Sequence, residues 1–126
     1  MTDPITVSVD LGDRSYPIFI GSDLLTEREL FIPYIKGNQV CIISNDVVAP
    51  LYLEKLKTTL TGFELTEFIL PDGEAEKNLD NIAQIYDALL QDRTDRNVTL
   101  IALGGGVVGD MTGFAAATNL RGVNFI

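Results

Sequence analysis

Leu103-Gly104-Gly105-Gly106-Val107-Val108-Gly109-Asp110 is the stretch of this chain best suited to hold a charged ligand. Gly104, Gly106 and Gly109 satisfy the spacing G-x-G-x-x-G, after an apolar segment and ahead of a helical one. Glycine admits positive φ and lets backbone N–H groups approach a phosphate, and a following helix N-terminus adds partial positive charge. Dinucleotide binding is one reading. A tight strand-to-helix turn without a ligand is the other, and the motif alone does not separate them. Two features depart from the usual fingerprint. The motif follows one of the last strands, not the first, and no acidic residue comes about 20 positions later, because Ile126 is reached first.

A ribose would therefore need a partner from elsewhere. Asn45, at the end of the apolar run Val40 to Ile43, is placed for that. A second candidate segment is Pro71-Asp72-Gly73-Glu74-Ala75-Glu76-Lys77, a loop that follows a strand, where open α/β sheets bind ligands. Glu74 and Lys77 have the chemistry to hydrogen-bond an adenosine or a phosphate, and Asp72 and Gly73 form the turn that carries them. A third is Arg121, followed by Gly122, where a guanidinium suits bidentate capture of a phosphate or carboxylate. Each has a plain alternative: a helix-capping Asn, a solvated turn, a surface arginine. For each residue alone, that alternative is the simpler account.

Composition narrows the chemistry further. The chain has no histidine, which excludes a Ser-His-Asp triad, a Cys-His pair and a His-ligated metal within these residues. Lys and Arg total 9 against 18 Asp and Glu, a net charge of −9, so nucleic acid and anionic membranes are poor partners. Cys41 is the one cysteine, which excludes an internal disulfide; within a buried strand it reads as an inert apolar residue. A hydrophobic fraction of 46% is enough for a real core and rules out disorder. No apolar run approaches the ~20 residues of a membrane span. The opening MTDPITVSVD has neither a basic nor an apolar region of the signal-peptide kind. Any catalysis would draw on residues beyond those present.

The elements that must position these residues follow from periodicity. Ile5, Val7, Val9 and Leu11 alternate with polar residues, as do Tyr16, Ile18 and Ile20, predicting a half-buried β-hairpin over 5–20. A short helix is expected from Leu24 to Ile32, ended by Pro33 and Gly37. Val40 to Ile43 reads as a central parallel strand, covered on both faces. Asp46 is the expected cap of the next helix, with Val48, Tyr52, Leu56 and Leu60 on one face. Phe63 to Leu70 is a strand. Asn78 caps a helix facing inward with Leu79, Ile82, Ala83, Tyr86, Leu89 and Leu90. Val98 to Leu103 is a strand, about Val107 to Leu120 a small-residue helix, and Val123 to Ile126 a last strand. Strands alternating with helices predict an α/β domain of doubly wound, Rossmann-like type: a mainly parallel sheet with the hairpin as an antiparallel addition. The chain stops inside an apolar strand, so a fragment of a longer protein is expected, with residues 1–126 forming one dinucleotide-binding domain and an exposed last strand prone to association.

Together these segments resemble 3-dehydroquinate synthase of the shikimate pathway. LGGGVVGDMTGFAAAT followed by RGVNFI carries the resemblance, PDGEAEKN resembles that family's Gly-Glu-x-x-Lys loop, and ISNDVVAPLYLEKL and the opening hairpin fit too. The GGGVVGD block is shared in weaker form with iron-dependent alcohol and glycerol dehydrogenases, and related sugar-phosphate cyclases share much of the pattern. The resemblance covers essentially the whole chain, but only the family's N-terminal, NAD-binding half. It implies that Gly105, Gly106 and Val107 contact the NAD pyrophosphate and that Asp110 lies near the nicotinamide ribose. It implies that Glu74 and Lys77, with Asp72 and Gly73, hold the nucleotide, and that Asn45 contacts the adenosine ribose. Arg121 matches an arginine that binds substrate phosphate, across a dimer interface. Asn119 is a mild departure, at a position where an aromatic residue is common.

The reaction implied by the resemblance converts 3-deoxy-D-arabino-heptulosonate 7-phosphate to 3-dehydroquinate and phosphate, with NAD consumed and regenerated. It also implies a divalent metal, zinc or cobalt, held by one Glu and two His of an all-helical C-terminal domain that this chain lacks. The expectation is a cytoplasmic homodimeric enzyme acting on a sugar phosphate, of which these residues alone bind NAD at most and do not catalyse.

Overall fold

The computed structural model describes residues 4–119 and 122–126. β1 (Ile5–Val9) and β2 (Tyr16–Ile20) pair antiparallel, Ile5 opposite Ile20 and Val9 opposite Tyr16. The hairpin is as expected, but its orientation is not. Ile5 and Ile20 are 65% and 53% exposed, and Val7 and Ile18 beside them also face outward. The half-buried side carries Pro17 and Phe19. Period-two alternation tells which residues share a face, not which face turns to the body.

Between Leu24 and Tyr34 the expected helix is replaced by three 3-10 turns, Leu24–Thr26, Arg28–Leu30 and Ile32–Tyr34. The cause is tertiary. Arg28 donates to the carbonyls of Thr59 and Thr61, each at 2.8 Å, and lies over the Phe63 ring. Docking this segment onto another helix's C-terminal carbonyls outweighs its local helix preference.

The main sheet has four parallel strands: β3 (Gln39–Asn45), β4 (Glu64–Leu70), β5 (Thr99–Leu103) and β6 (Asn124–Phe125), in the order β4-β3-β5-β6. The chain steps from β3 outward to β4, then returns to the other side of β3. Helices α1 (Ala49–Thr59), α2 (Leu79–Gln91) and α3 (Gly106–Thr118) make the crossovers. From Val40 to Asn45 every residue of β3 is buried, as its solid apolar run requires. Val40 and Ile42 pack with Leu53, Leu56 and Leu60 of the α1 side. Cys41 and Ile43 point the other way, onto Ile82, Ile85, Leu89, Met111 and Ala115 of α2 and α3.

Two helix faces are narrower than expected. On α1 the inward residues are Leu53 and Leu56, and Tyr52 is 44% exposed. On α2 they are Ile82, Ile85 and Leu89 at i, i+3, i+7, while Leu79 and Leu90 are exposed. Asn78 caps α2 as expected, its side chain accepting the Asn81 N–H at 2.9 Å. Among the described residues no helix is long and apolar enough to cross a membrane.

Candidate functional site

The strand order creates a switch point between β3 and β5. The chain leaves β3 toward α1 on one face and leaves β5 toward α3 on the other, opening a crevice at the strands' C-terminal ends, where open α/β sheets bind ligands. Ser44 closes its floor, donating from a fully buried hydroxyl to the Leu103 carbonyl at 2.7 Å. Sequence reasoning passed over Ser44; its only signal was a hydroxyl inside an otherwise apolar strand.

Asn45 stands at one lip. Its Oδ1 accepts the N–H groups of Val47 at 3.0 Å and Val48 at 2.8 Å, and its Nδ2 donates to Asp72 Oδ1 at 3.2 Å. Asn45 therefore shapes the turn into α1, close to its simpler sequence reading, whereas Asp46 does not cap that helix: its N-cap is Val48, with no side-chain cap. The Asp46 carboxylate accepts the Asp72 N–H at 3.0 Å instead, tying the loop after β4 to the loop after β3. An amide and two carboxylates thus gather at the ends of β3 and β4, a set suited to hydroxyl groups.

The other lip is the glycine loop. A Cβ on Gly104 would come within 3.0 Å of Val108 Cγ2, so a side chain in the turn out of β5 would have to displace Val108 by a few tenths of an ångström. Gly105 is the N-cap of α3, and the Gly109 N–H to Gly105 carbonyl bond, 3.0 Å, closes the first turn. The N–H groups of Gly106, Val107 and Val108 precede that bond and have no intrahelical partner. A Cβ on Gly105, Gly106 or Gly109 would meet nothing within 4 Å, and Gly104 to Gly106 are exposed. The result is an open cradle of N–H groups at a helix N-terminus, which fits a phosphate or pyrophosphate.

The loop from Pro71 to Lys77 reaches across to α3. Gly73 has φ +126, a conformation open to glycine, and starts the 3-10 turn Glu74–Glu76. The turn delivers Lys77, whose Nζ lies 2.8 Å from Asp110 Oδ2 and 3.8 Å from Glu74 Oε1. The Asp110 hydrogen bond and charge, with Glu74 adding to them, hold the ammonium above its usual pKa. Both partners of the shorter pair are exposed, so the contact orients more than it stabilises. Beside it Lys77, Asn78, Leu79, Ile82, Asp110, Met111 and Phe114 line a groove of about 410 Å³.

The expected residues therefore fall into three adjoining groups: Asn45 with Asp72, the cradle of Gly105, Gly106 and Val107, and Glu74 with Lys77 and Asp110. Arg121 lies outside the described residues. Among the described residues no group of three or more His, Cys, Asp and Glu could hold a metal ion. Burial pushes the Cys41 thiol up to about 11, which leaves it protonated and inert.

Residues 67–126 match the family model for the N-terminal region of 3-dehydroquinate synthase. The 3-dehydroquinate synthase of Hydrogenovibrio crunogenus is 60% identical over 121 residues, which is 96% of this chain and 34% of that protein. The enzyme of Azotobacter vinelandii is 59% identical over the same length. The chain thus spans about a third of the curated relatives it matches. Its fold is that of a 2-deoxy-scyllo-inosose synthase solved with carbaglucose-6-phosphate, NAD+ and Co2+, with a TM-score of 0.86 at 22% identity, covering 96% of this chain and 34% of that one.

Proposed function

We propose that the chain belongs to the 3-dehydroquinate synthase family, whose N-terminal model residues 67–126 match, and that it is the NAD-binding region of an enzyme that converts 3-deoxy-D-arabino-heptulosonate 7-phosphate to 3-dehydroquinate and phosphate. The observation that carries this reading is 60% identity over 96% of the chain. The fold likeness to the inosose synthase comes with only 22% identity, so sequence favours the dehydroquinate synthase over that cyclase.

In this reading the adenosine ribose rests between Asn45 and Asp72, whose amide and carboxylate suit its two hydroxyls. The N–H groups of Gly106, Val107 and Val108 receive the pyrophosphate. Asp110, steered by Lys77, faces the nicotinamide ribose, and Lys77 offsets Asp110's charge beside an anionic ligand. Glu74 adds a second acceptor at the same edge. Arg121 binds the substrate phosphate from a neighbouring subunit of a homodimer. NAD, when bound, supplies a reversible hydride acceptor. A divalent metal would be held by residues outside these 126, and among the described residues no group of His, Cys, Asp and Glu could hold one. The enzyme is a cytoplasmic one.

The test uses the full-length enzyme. With NAD and metal it should release phosphate from the heptulosonate phosphate and yield 3-dehydroquinate. Absence of phosphate release from folded, NAD-saturated, metal-loaded protein would overturn the reading.

A further inference from the structure

Among the described residues Asn81 is the one amide buried within a helix face that is otherwise apolar; it is 6% exposed and sits with Ile82 and Ile85 on the inward side of α2. A buried amide is costly unless satisfied. Asn81 spends both Nδ2 hydrogens on a single residue, donating to the Glu76 carbonyl at 2.6 Å and to the Glu76 carboxylate at 2.9 Å. Its own N–H is held by the Asn78 side chain, whose Nδ2 in turn donates to the Ala75 carbonyl at 3.1 Å. The 3-10 turn from Glu74 to Glu76 is thereby clamped to the first turn of α2, and Lys77 is the next residue along the chain.

The clamp also sorts charges. Three acids, Glu74, Glu76 and Asp110, lie around one lysine. Lys77 pairs with Asp110 and Glu74 but not with its neighbour Glu76, whose carboxylate Asn81 holds. Without the Asn81 amide, Glu76 is free to compete for Lys77, and the turn loses an anchor.

We propose that Asn81 is a positioning residue: by fixing the carbonyl and carboxylate of Glu76, it keeps Lys77 directed at Asp110 and sets the affinity of the crevice for a dinucleotide. The inference rests on the cofactor reading above. Asn81 touches no ligand itself and acts through Lys77.

The experiment is a double-mutant cycle in the full-length enzyme, with NAD binding read by calorimetry. Asn81→Leu keeps the side chain's size and removes the donors. It should weaken NAD about tenfold, the loss that one hydrogen bond to an ionic group carries. The kcat at saturating NAD should stay within about twofold, because the reacting groups are untouched. In a Lys77→Met background the same substitution should change NAD affinity by less than about twofold, since no lysine is left to direct. A purely structural role would instead give equal losses in both backgrounds. If Asn81→Leu fails to fold, Asn81→Thr runs through the same cycle. Unchanged NAD affinity, or equal losses in both backgrounds, overturns the inference and leaves the cofactor reading standing. No NAD binding by the unaltered enzyme overturns both.

Discussion

Replacing Gly106 by valine separates the cradle's role in binding from any role in folding. Gly106 is the first residue of α3, and a Cβ there would meet no heavy atom within 4 Å. Its φ is not in the left-handed region. Valine is a slightly better helix former than glycine, so the fold should gain or lose no more than about 0.5 kcal/mol. The branched side chain, however, stands in the open space before the N–H groups of Gly106, Val107 and Val108. If a pyrophosphate bonds there, at least two hydrogen bonds to a charged group are lost, each worth roughly 1.5 to 3 kcal/mol. The sum, about 3 to 6 kcal/mol, corresponds to roughly a hundredfold to ten-thousandfold weaker NAD binding. Calorimetric titration with NAD measures this, with a thermal melt of the same sample as control. Adenosine, which lacks the pyrophosphate, should lose less than about threefold. An NAD affinity within threefold of the unaltered protein, at unchanged Tm, would refute the assignment of the pyrophosphate to the glycine loop.

Other substitutions read the scaffold. A Cβ on Gly37 would lie 2.8 Å from the Asn97 carbonyl oxygen, so Gly37→Ala should cost about 1 to 3 kcal/mol of stability in a denaturant melt. Asn45→Leu strands the Val47 and Val48 N–H groups and should cost at least about 2 kcal/mol while also weakening NAD, measured by melt and titration. Cys41 holds its proton to about 11 in the fold against 9.0 for an ordinary thiol. The native state then binds more protons than the unfolded one, so stability falls as pH rises from 9 to 11, by about 2 to 3 kcal/mol across the window. Cys41→Val should remove that slope in pH-dependent melts.

Much of this architecture is legible in residue type and spacing. The apolar run at Val40 to Ile43 suits a strand covered on both sides, and the alternation of strand and helix patterns indicates a parallel sheet. The three glycines after Leu103 located one lip of the crevice because their chemistry is backbone chemistry, written directly in residue type. What was not legible depended on side chains meeting across long separations. The local role of Asn45 could be read from its type, but nothing local shows that Asp46 leaves the helix start to accept the Asp72 N–H; that follows from where Asp72 arrives. The helix expected at Leu24 broke into short turns because Arg28 found carbonyls more than thirty residues away. The hairpin's outward apolar face and the narrow buried stripes of α1 and α2 were set by the neighbours each element met, which pattern alone does not encode.

The strand order also governs when the crevice comes into being. Val40 pairs with Leu65 on one side and with Thr99 on the other. The first pairing closes a short βαβ unit; the second must wait for a much longer stretch of chain and costs more loop-closure entropy. Yet only the second brings the Asn45 lip against the glycine loop. During synthesis the hairpin and the β3–β4 unit have their partners available early, whereas the ligand crevice has no existence until β5 has emerged and docked. Since non-local pairings slow folding, the pairing of the sheet with the widest sequence separation is also the one that forms the crevice. A dinucleotide spanning both lips would bind only chains that have completed that step, so cofactor present during refolding should act late, trapping finished molecules without speeding their formation.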